Sequence, residues 1–431
     1  MRRCRESDHN ELDVDAFVML TVKKGKDLLY SDKYPPRQGE YMLKFRKIPA
    51  LVIGAVFVLT FGVAFILAAT APPDPIKIGA IFAVSGPASN LGSPEANTAV
   101  MLVNRINAKG GIKGHKVILL LRDSGSDPQK AMSLAKQLIE EEKVFAIIGP
   151  STSGESLKIK QLCNDEHTIL ISCAAAEGIT NPVAQYVFST AQKDAMAVRK
   201  IFETMKALNL SRIAIASSNT GFGKAGKTQL EKLAPEFGIE ILADEVYEKE
   251  ATDLTGLLTK IKAANVQAVV NWSIEPAQAI LAKNMRQIGL ALPLFQSHGF
   301  ANIRYAKAGG AAAEGILFPS GCLIVAEALQ KDNPQKAVLM EFKKEYQAEY
   351  KEDASTFGGH VYDALMLLSQ AIETAPDLDK EQVRSALENI KGYVCIGGTF
   401  TLSPTDHNGL DINAFSMQTV KGGKFVPYTG K

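Results

Sequence analysis

From Ile76 onward, short apolar runs alternate with segments of helical period. Strand-like runs occupy Ile76–Val84, Lys116–Arg122, Val144–Ile148 and Thr168–Ser172, with amphipathic helical segments at Ser93–Ala108, Pro128–Glu142 and Glu155–Asn164. Brief β-branched runs bounded by turn residues predict buried strands. The alternation resumes at Arg212–Ala216, Gly223–Phe237, Ile239–Tyr247, Asp253–Ala264, Ala268–Trp272, Pro276–Gly289 and Leu292–Gln296. Leu254, Leu257, Leu258 and Ile261 fall at helical spacing ahead of the run Val266–Val270. Strand and helix in turn, joined by short loops, predict an α/β protein with parallel sheets, and two successive sets predict two doubly wound lobes.

The texture then changes. Phe318–Ala328 has no clean period and leads to a proline-marked turn at Asp332-Asn333-Pro334. Helical segments follow at Gln335–Tyr350, Phe357–Thr374 and Lys380–Asn389, then short strands and turns over Gly397–Pro427. Helices after the second set make sense if the chain crosses back to complete the first lobe. No low-complexity linker follows Pro75, which fits lobes tied by several crossings.

One stretch carries candidate chemistry. After the run ending at Ile148 come Gly149, Pro150, Ser151, Thr152, Ser153 and Gly154, and then Glu155–Cys163 with Leu157, Ile159 and Leu162 at roughly helical spacing. A strand whose Gly/Ser-rich turn opens a helix leaves unpaired N–H groups that suit an anion such as a carboxylate. The same residues also describe an ordinary turn with a Ser/Thr N-cap. No Gly-Lys-Ser/Thr follows, so this is not a nucleotide phosphate loop.

The amino-terminal end changes the picture of the whole. Lys44, Arg46 and Lys47 precede an apolar run from Ile48 to Ala69, which becomes Ala69-Thr70-Ala71-Pro72-Pro73. Basic flank, apolar stretch and small residues describe a secretory signal peptide over residues 42–71. The run is also long enough to cross a bilayer, so an uncleaved anchor is the alternative. Residues 1–41 are polar and mixed in charge, which suits an upstream extension before a start at Met42, or else a cytoplasmic tail. Either way the remainder is expected to be exported.

At 431 residues two domains are the natural expectation, and 46% hydrophobic with 22% charged residues is ordinary for a globular protein. Net charge is +2; the first 71 residues hold 11 Lys/Arg against 8 Asp/Glu, leaving 37 against 38 for the rest. Nothing there suggests nucleic acid as a partner. Cys163, Cys173, Cys322 and Cys395 show no metal spacing. Cys163 lies late in a helix and Cys173 at the far end of the next strand, which holds them apart, so buried free thiols are expected. There is no Gly-x-Ser-x-Gly elbow, no His-Glu-x-x-His, and the first strand ends in Ser-Gly-Pro without a glycine fingerprint. An enzyme is therefore not expected, nor a cofactor or metal.

Several of these segments together resemble a known family. Ile78-Gly79-Ala80 leading into Ser85-Gly86-Pro87-Ala88-Ser89-Asn90-Leu91-Gly92 looks like the opening of the branched-chain amino-acid-binding proteins, the type I periplasmic substrate-binding proteins of ABC importers. Ala99 to Asn104, then Ile106-Asn107-Ala108-Lys109-Gly110-Gly111-Ile112, is similar to the family's next element; Asp123 with Asp127-Pro128, and the Gly149–Gly154 turn, follow in order. Tyr362-Asp363-Ala364 and Asp406-His407-Asn408-Gly409 match the carboxy-terminal half. The resemblance runs from Ile76 to Lys431.

It implies a monomeric periplasmic clamp of two lobes with three crossovers, lobe 1 being residues 74–191 plus 323–411 and lobe 2 residues 192–322 plus 412–431. Closure on a small carboxylate, then recognition by the permease subunits, is the implied mechanism. The family's carboxylate-binding serine falls on Ser153, and its second carboxylate segment on Ile171–Ala176, where Ala174 keeps its backbone and Ala176 lacks the usual threonine hydroxyl. An apolar contact falls on Leu91, an aromatic wall on Phe222 before Gly223, and a side-chain wall on Ile274 with Trp272 and Glu275 close by. Phe357 falls at a helix start facing the cleft, while Asp363 and His407 are expected to be structural. His298 stands where amino-acid binders commonly carry the glutamate that pairs with an ammonium group. Either Glu275 takes that role for an amino-acid ligand, or the ligand is an aromatic or other organic acid. A membrane-tethered sensor ectodomain with the same clamp is the rival reading.

Overall fold

β1 (Ile76–Phe82) reads Ile-Lys-Ile-Gly-Ala-Ile-Phe and is buried at every position but one. A strand covered on both faces has no need of polar alternation. It lies second in a five-stranded parallel sheet with β2 (Val117–Asp123), β3 (Ala146–Ile148), β4 (Ile169–Ser172) and β5 (Val187–Ser189), in the order β2-β1-β3-β4-β5. The computed structural model describes residues 73–430, so the segments 1–41 and 42–71 assigned above to an extension and a signal or anchor lie outside the described residues. Among the described residues no helix is long and apolar enough to cross a membrane.

Helices α1 (Ser89–Ala108), α2 (Pro128–Lys136) and α3 (Ser153–Asp165) connect the first four strands, and α4 (Asp194–Ala207) follows β5. The second sheet begins with β6 (Arg212–Ser218), β7 (Glu240–Tyr247), β8 (Ala268–Trp272), β9 (Leu294–Gln296) and β10 (Leu317–Ser320). Helices α5 (Gly221–Leu233), α6 (Thr255–Ala263), α7 (Ala277–Gln287) and α8 (Ile303–Gly309) join them. Next come α9 (Lys336–Tyr350), α10 (Thr356–Thr374), α11 (Lys380–Glu388) and the small hairpin β11 (Tyr393–Val394) with β12 (Thr399–Phe400). β13 (Ser416–Lys421) and β14 (Lys424–Pro427) then extend the second sheet antiparallel, giving the order β14-β13-β10-β9-β8-β6-β7. β7, at the far edge, has one face to solvent and alternates accordingly.

The chain thus passes between the sheets three times. α4 packs on the second sheet, with Ala197, Ile201 and Phe202 against Ile213 and Val270. The late helices return to the first, where Leu339, Phe342, Val361 and Leu365 share a core with Ile78, Ile148 and Ile171. Asp363 anchors that return: its buried carboxylate accepts the N–H groups of Ile396 (2.8 Å) and Gly397 (2.7 Å), and burial pushes its pKa up to about 7. His407 is equally structural, with Nδ1 2.9 Å from the Val187 carbonyl, Nε2 3.2 Å from Glu388 and its ring stacked on Phe188. Cys163, Cys173, Cys322 and Cys395 are unpaired, and all but Cys322 are fully buried.

The elements depart from the sequence expectation at definite places. α1 starts at Ser89 with Pro94 inside it; the proline leaves the Asn90 carbonyl without its helical donor, and that oxygen accepts the Asn302 side-chain amide at 2.9 Å instead. The segment expected as one helix over Pro128–Glu142 ends as α2 at Lys136 and continues as a wide turn, Gln137–Glu141, which turns both Leu138 and Ile139 into the core. β5, α4, α8 and β10 are additional to the expected elements. In α4 the apolar spacing Ala197, Val198, Ile201, Phe202, Met205 is helical and buried; in β10, Pro319 hides the strand because a proline cannot donate to a ladder.

Candidate functional site

A small cavity lies between the carboxyl ends of the two sheets. Nearly every wall residue follows the end of a strand, where open α/β sheets place their ligands. Beyond β3 come Ser151, Thr152 and Ser153; beyond β4, Cys173, Ala174 and Ala175; beyond β5, Ala191; and Leu91 opens from α1. The second sheet contributes Phe222 beyond β6, Ile274 beyond β8, and His298 with Gly299 beyond β9, while α10 adds Phe357 and His360.

The hydroxyl turn is ordered by α3. Thr152 is the N-cap and forms a reciprocal capping box with Glu155, its Oγ1 donating to the Glu155 carboxylate at 2.7 Å. The capping role therefore belongs to Thr152, and Ser153 is left at the first helical position. Ser153 Oγ accepts the Ala176 N–H at 3.2 Å, and its own proton has no partner among the described residues. Ser151 Oγ accepts the Ala83 N–H at 2.9 Å and shares a hydrogen bond with the Glu95 carboxyl behind it. Ser153 and Gly154, in the first turn, have N–H groups with no partner further back in the helix.

On the opposite wall, Ser297 caps the short turn His298–Phe300 and accepts the Gly299 N–H. Gly299 must be glycine: a Cβ there would stand 2.6 Å from Ile274 Cγ2 and from the Ser273 carbonyl. The His298 ring sits among Phe222, Trp272 and Phe415, at centroid distances of 5.3, 5.8 and 5.4 Å. Neither ring nitrogen has a partner. Asp194, at the start of α4, has its Oδ1 3.7 Å from His298 Nε2, too long for a hydrogen bond. Burial lowers the His298 pKa to about 3, with the nearby His360 adding to the effect, so the imidazole is neutral at neutral pH; burial also pushes the Asp194 carboxyl well above its usual range. Burial likewise lowers His360 to about 4.

Of the residues singled out in the sequence, Leu91, Ser153, Ala174, Phe222, Ile274, His298 and Phe357 are brought to this one cavity. Ala176 and Trp272 are not in its wall. Ala176 turns its N–H to Ser153, and Trp272 is fully buried behind Phe222 and His298, in space left by Gly226 on α5. Glu275 also faces away, its carboxylate bonded to Ser273 Oγ at 2.6 Å and to the Ile274 N–H at 3.1 Å, so it does not supply the missing acid to the cavity. Ser151 is expected from the sequence only as part of the hydroxyl turn, and His360, Glu95 and Asp194 are not expected at all. His360 follows Phe357 by three residues and shares its helix face; Glu95 follows Leu91 by four, on the buried face of α1.

Across the cavity, the amino ends of α3 and α5 meet backbone to backbone. A Cβ built on Gly221 would lie 2.5 Å from Gly154 Cα and 2.7 Å from Gly154 N.

Two doubly wound sheets with a small polar-and-aromatic cavity between their carboxyl ends define a two-lobed receptor for a small molecule. The chain belongs to the periplasmic binding protein family, whose model matches residues 75–424. It is 26% identical over 343 residues to the leucine-, isoleucine-, valine-, threonine- and alanine-binding protein of Pseudomonas aeruginosa, covering 78% of this chain and 86% of that one. An extracellular ligand-binding receptor from Rhodopseudomonas palustris HaA2 superposes with a TM-score of 0.77 at 27% identity, over 82% of this chain and 99% of the other. The branched-chain amino acid transporter substrate-binding protein LivJ of Streptococcus pneumoniae, solved with isoleucine, gives 0.72 at 26% identity over 81% and 97%. The architecture is that of type I periplasmic binding proteins, and the family is one of solute-binding proteins rather than enzymes.

Proposed function

We propose that the chain is the periplasmic substrate-binding component of an ABC importer, and that its ligand is a small carboxylate with an apolar or aromatic body and no free ammonium group. In this reading the carboxylate rests on the Ser153 hydroxyl and the first-turn N–H groups of α3, hinge closure buries it, and the closed form is what the permease subunits recognise. The observation that carries the ligand class is the composition of the wall: among the described residues, no Asp, Glu, Lys or Arg lines the cavity. A buried ammonium without a carboxylate partner is strongly disfavoured, whereas Phe222, Phe357 and the neutral His298 suit an aromatic or aliphatic body. The second reading, a branched-chain amino acid, is favoured by what the relatives' names say they bind.

A thermal-shift screen of leucine, isoleucine, valine, phenylalanine and benzoate-type acids separates the two. At about 100 times its Kd a ligand stabilises by roughly 2.7 kcal/mol, which is a shift of several degrees. A rise with a benzoate-type acid and none with leucine is expected; the reverse favours the second reading, and no rise with any of them overturns both.

Residues 42–71 are proposed to act as a cleaved signal peptide, with the mature protein a monomer in the periplasm. A mature amino terminus near Pro72 in a periplasmic extract is the expected result. An intact chain in the membrane fraction favours the tethered sensor instead.

A further inference from the structure

Behind Ser151, away from the cavity, lies Glu95, whose side chain has no contact with solvent. It sits on α1 among apolar neighbours, and its Oε1 has no partner. The titratable groups that face it are Glu155 from α3 and the Cys173 thiol beyond β4. α10 packs along α1, and its buried His360 is a neutral imidazole. None of these is a cation, so an ionised Glu95 would be an unpaired charge in the core. Its one polar contact is Ser151 Oγ, which already accepts the Ala83 N–H and which lines the cavity.

The direction of that contact decides what Ser151 can offer a ligand. A hydroxyl has one proton and two acceptor sites. If Glu95 is a carboxylate, the Ser151 proton must point back at it, and only a lone pair is left for the cavity. If Glu95 is a carboxylic acid, it donates to Ser151, the Ala83 N–H takes the second acceptor site, and the Ser151 proton is free to turn toward the ligand. Thr152 has no such freedom, because its proton is directed to Glu155.

We propose that Glu95 is a positioning residue held as a neutral carboxylic acid, which donates to Ser151 and so makes Ser151 a second hydroxyl donor, beside Ser153, to a bound carboxylate. The inference deepens the carboxylate reading above and rests on it. Burial raises the Glu95 carboxyl well above its usual range, outweighing the opposite effect of the Ser151 hydrogen bond, and Glu155 adds to the rise. A ligand carboxylate bound against Ser151 acts in the same direction, since a second negative charge opposes ionisation of Glu95.

Glu95 holds its proton more tightly in the fold than in the unfolded chain, so its contribution to stability is complete below the ordinary glutamate pKa and is lost as pH rises toward the folded value. Glu95→Gln keeps a donor to Ser151 and cannot ionise. Thermal unfolding of the wild type and E95Q from pH 5 to pH 9 is expected to show the wild-type Tm falling relative to that of E95Q, by about 2 °C or more. Parallel curves would mean that Glu95 is ionised throughout and would overturn the proposal.

Calorimetry supplies the second arm, with benzoate and leucine as probes. Wild-type affinity for whichever probe binds is expected to fall by up to about tenfold per pH unit once Glu95 ionises, while E95Q holds its pH 6 affinity. Ser151→Ala is expected to bind more weakly at every pH and to lose the part of the pH dependence that E95Q removes. An S151A chain that kept that part, or an E95Q chain more than tenfold weaker at pH 6, would overturn the relay. If neither probe binds the wild type, the carboxylate reading falls and the ligand-facing half of the relay with it, and the Tm curves still decide the state of Glu95.

Discussion

Replacing Ser153 by alanine is expected to weaken binding of the carboxylate ligand by roughly 10- to 150-fold, the loss of about 1.5–3 kcal/mol that attends removal of a hydrogen bond to a charged group. Ser153 is the hydroxyl of the turn whose proton is uncommitted: Thr152 directs its own to Glu155, and that of Ser151 is governed by Glu95. It also organises the facing wall, because its oxygen accepts the Ala176 N–H and so holds the strand-end segment Cys173–Ala175 against the cavity. The variant folds, since it leaves a single buried N–H unpaired, a cost of about 1–3 kcal/mol, and the cap on Thr152 is untouched. Calorimetry with a bound benzoate-type acid, set beside the corresponding neutral amide, reads the effect: the acid is weakened much more than the amide. Equal affinity of S153A and wild type for the acid would move the carboxylate to another wall.

The fold was legible in the sequence where burial is symmetrical. β1 and β8 are apolar except at Lys77 and Asn271 because both faces are covered, and the expected run Ala268–Trp272 coincides with β8. β10 was illegible because Pro319 contradicts a strand locally while the register with β13 tolerates it. α4 was legible and passed over, its apolar spacing being no weaker than that of the helices around it. At the site, residues that follow strand ends could be placed by topology, since parallel strands bring their carboxyl-end loops to one edge. Trp272 shows the limit of that rule: it is the last residue of β8, still packed under α5, whereas Ile274, two residues on, reaches the wall. Glu95 and Asp194 carry no local mark of their role. Each matters because of a partner far away in sequence but in its own lobe, Ser151 for one and His298 for the other, and such pairs exist only once that lobe has folded.

Gly221, unlike those pairs, depends on contact between the lobes, and that makes it a test of closure. Gly221 begins α5 in the second-sheet lobe and meets Gly154, in the first turn of α3, across the cavity. A methyl group on Gly221 would stand 2.5 Å from Gly154 Cα, and the atoms nearest to it are all backbone, with no flexible side chain to give way. Gly221→Ala is therefore expected to fold normally within each lobe and to hold the lobes apart. Overpacking of this kind costs about 1–3 kcal/mol, and because the cost falls only on the closed state, it appears as a loss of ligand affinity of roughly 5- to 150-fold. Small-angle scattering on the ligand-saturated protein should show a larger radius of gyration for G221A than for wild type, with the Tm of the ligand-free chains unchanged or higher in the variant. The added methyl group meets backbone only, reaching Ser153 at its carbonyl carbon (3.5 Å) and not at its hydroxyl, so the loss should be similar for carboxylic acids and their neutral amides, in contrast to S153A. Full affinity and a wild-type radius in G221A would show that binding does not require the approach of α3 and α5, and the hinge-closure mechanism would have to be abandoned for a site that loads without movement.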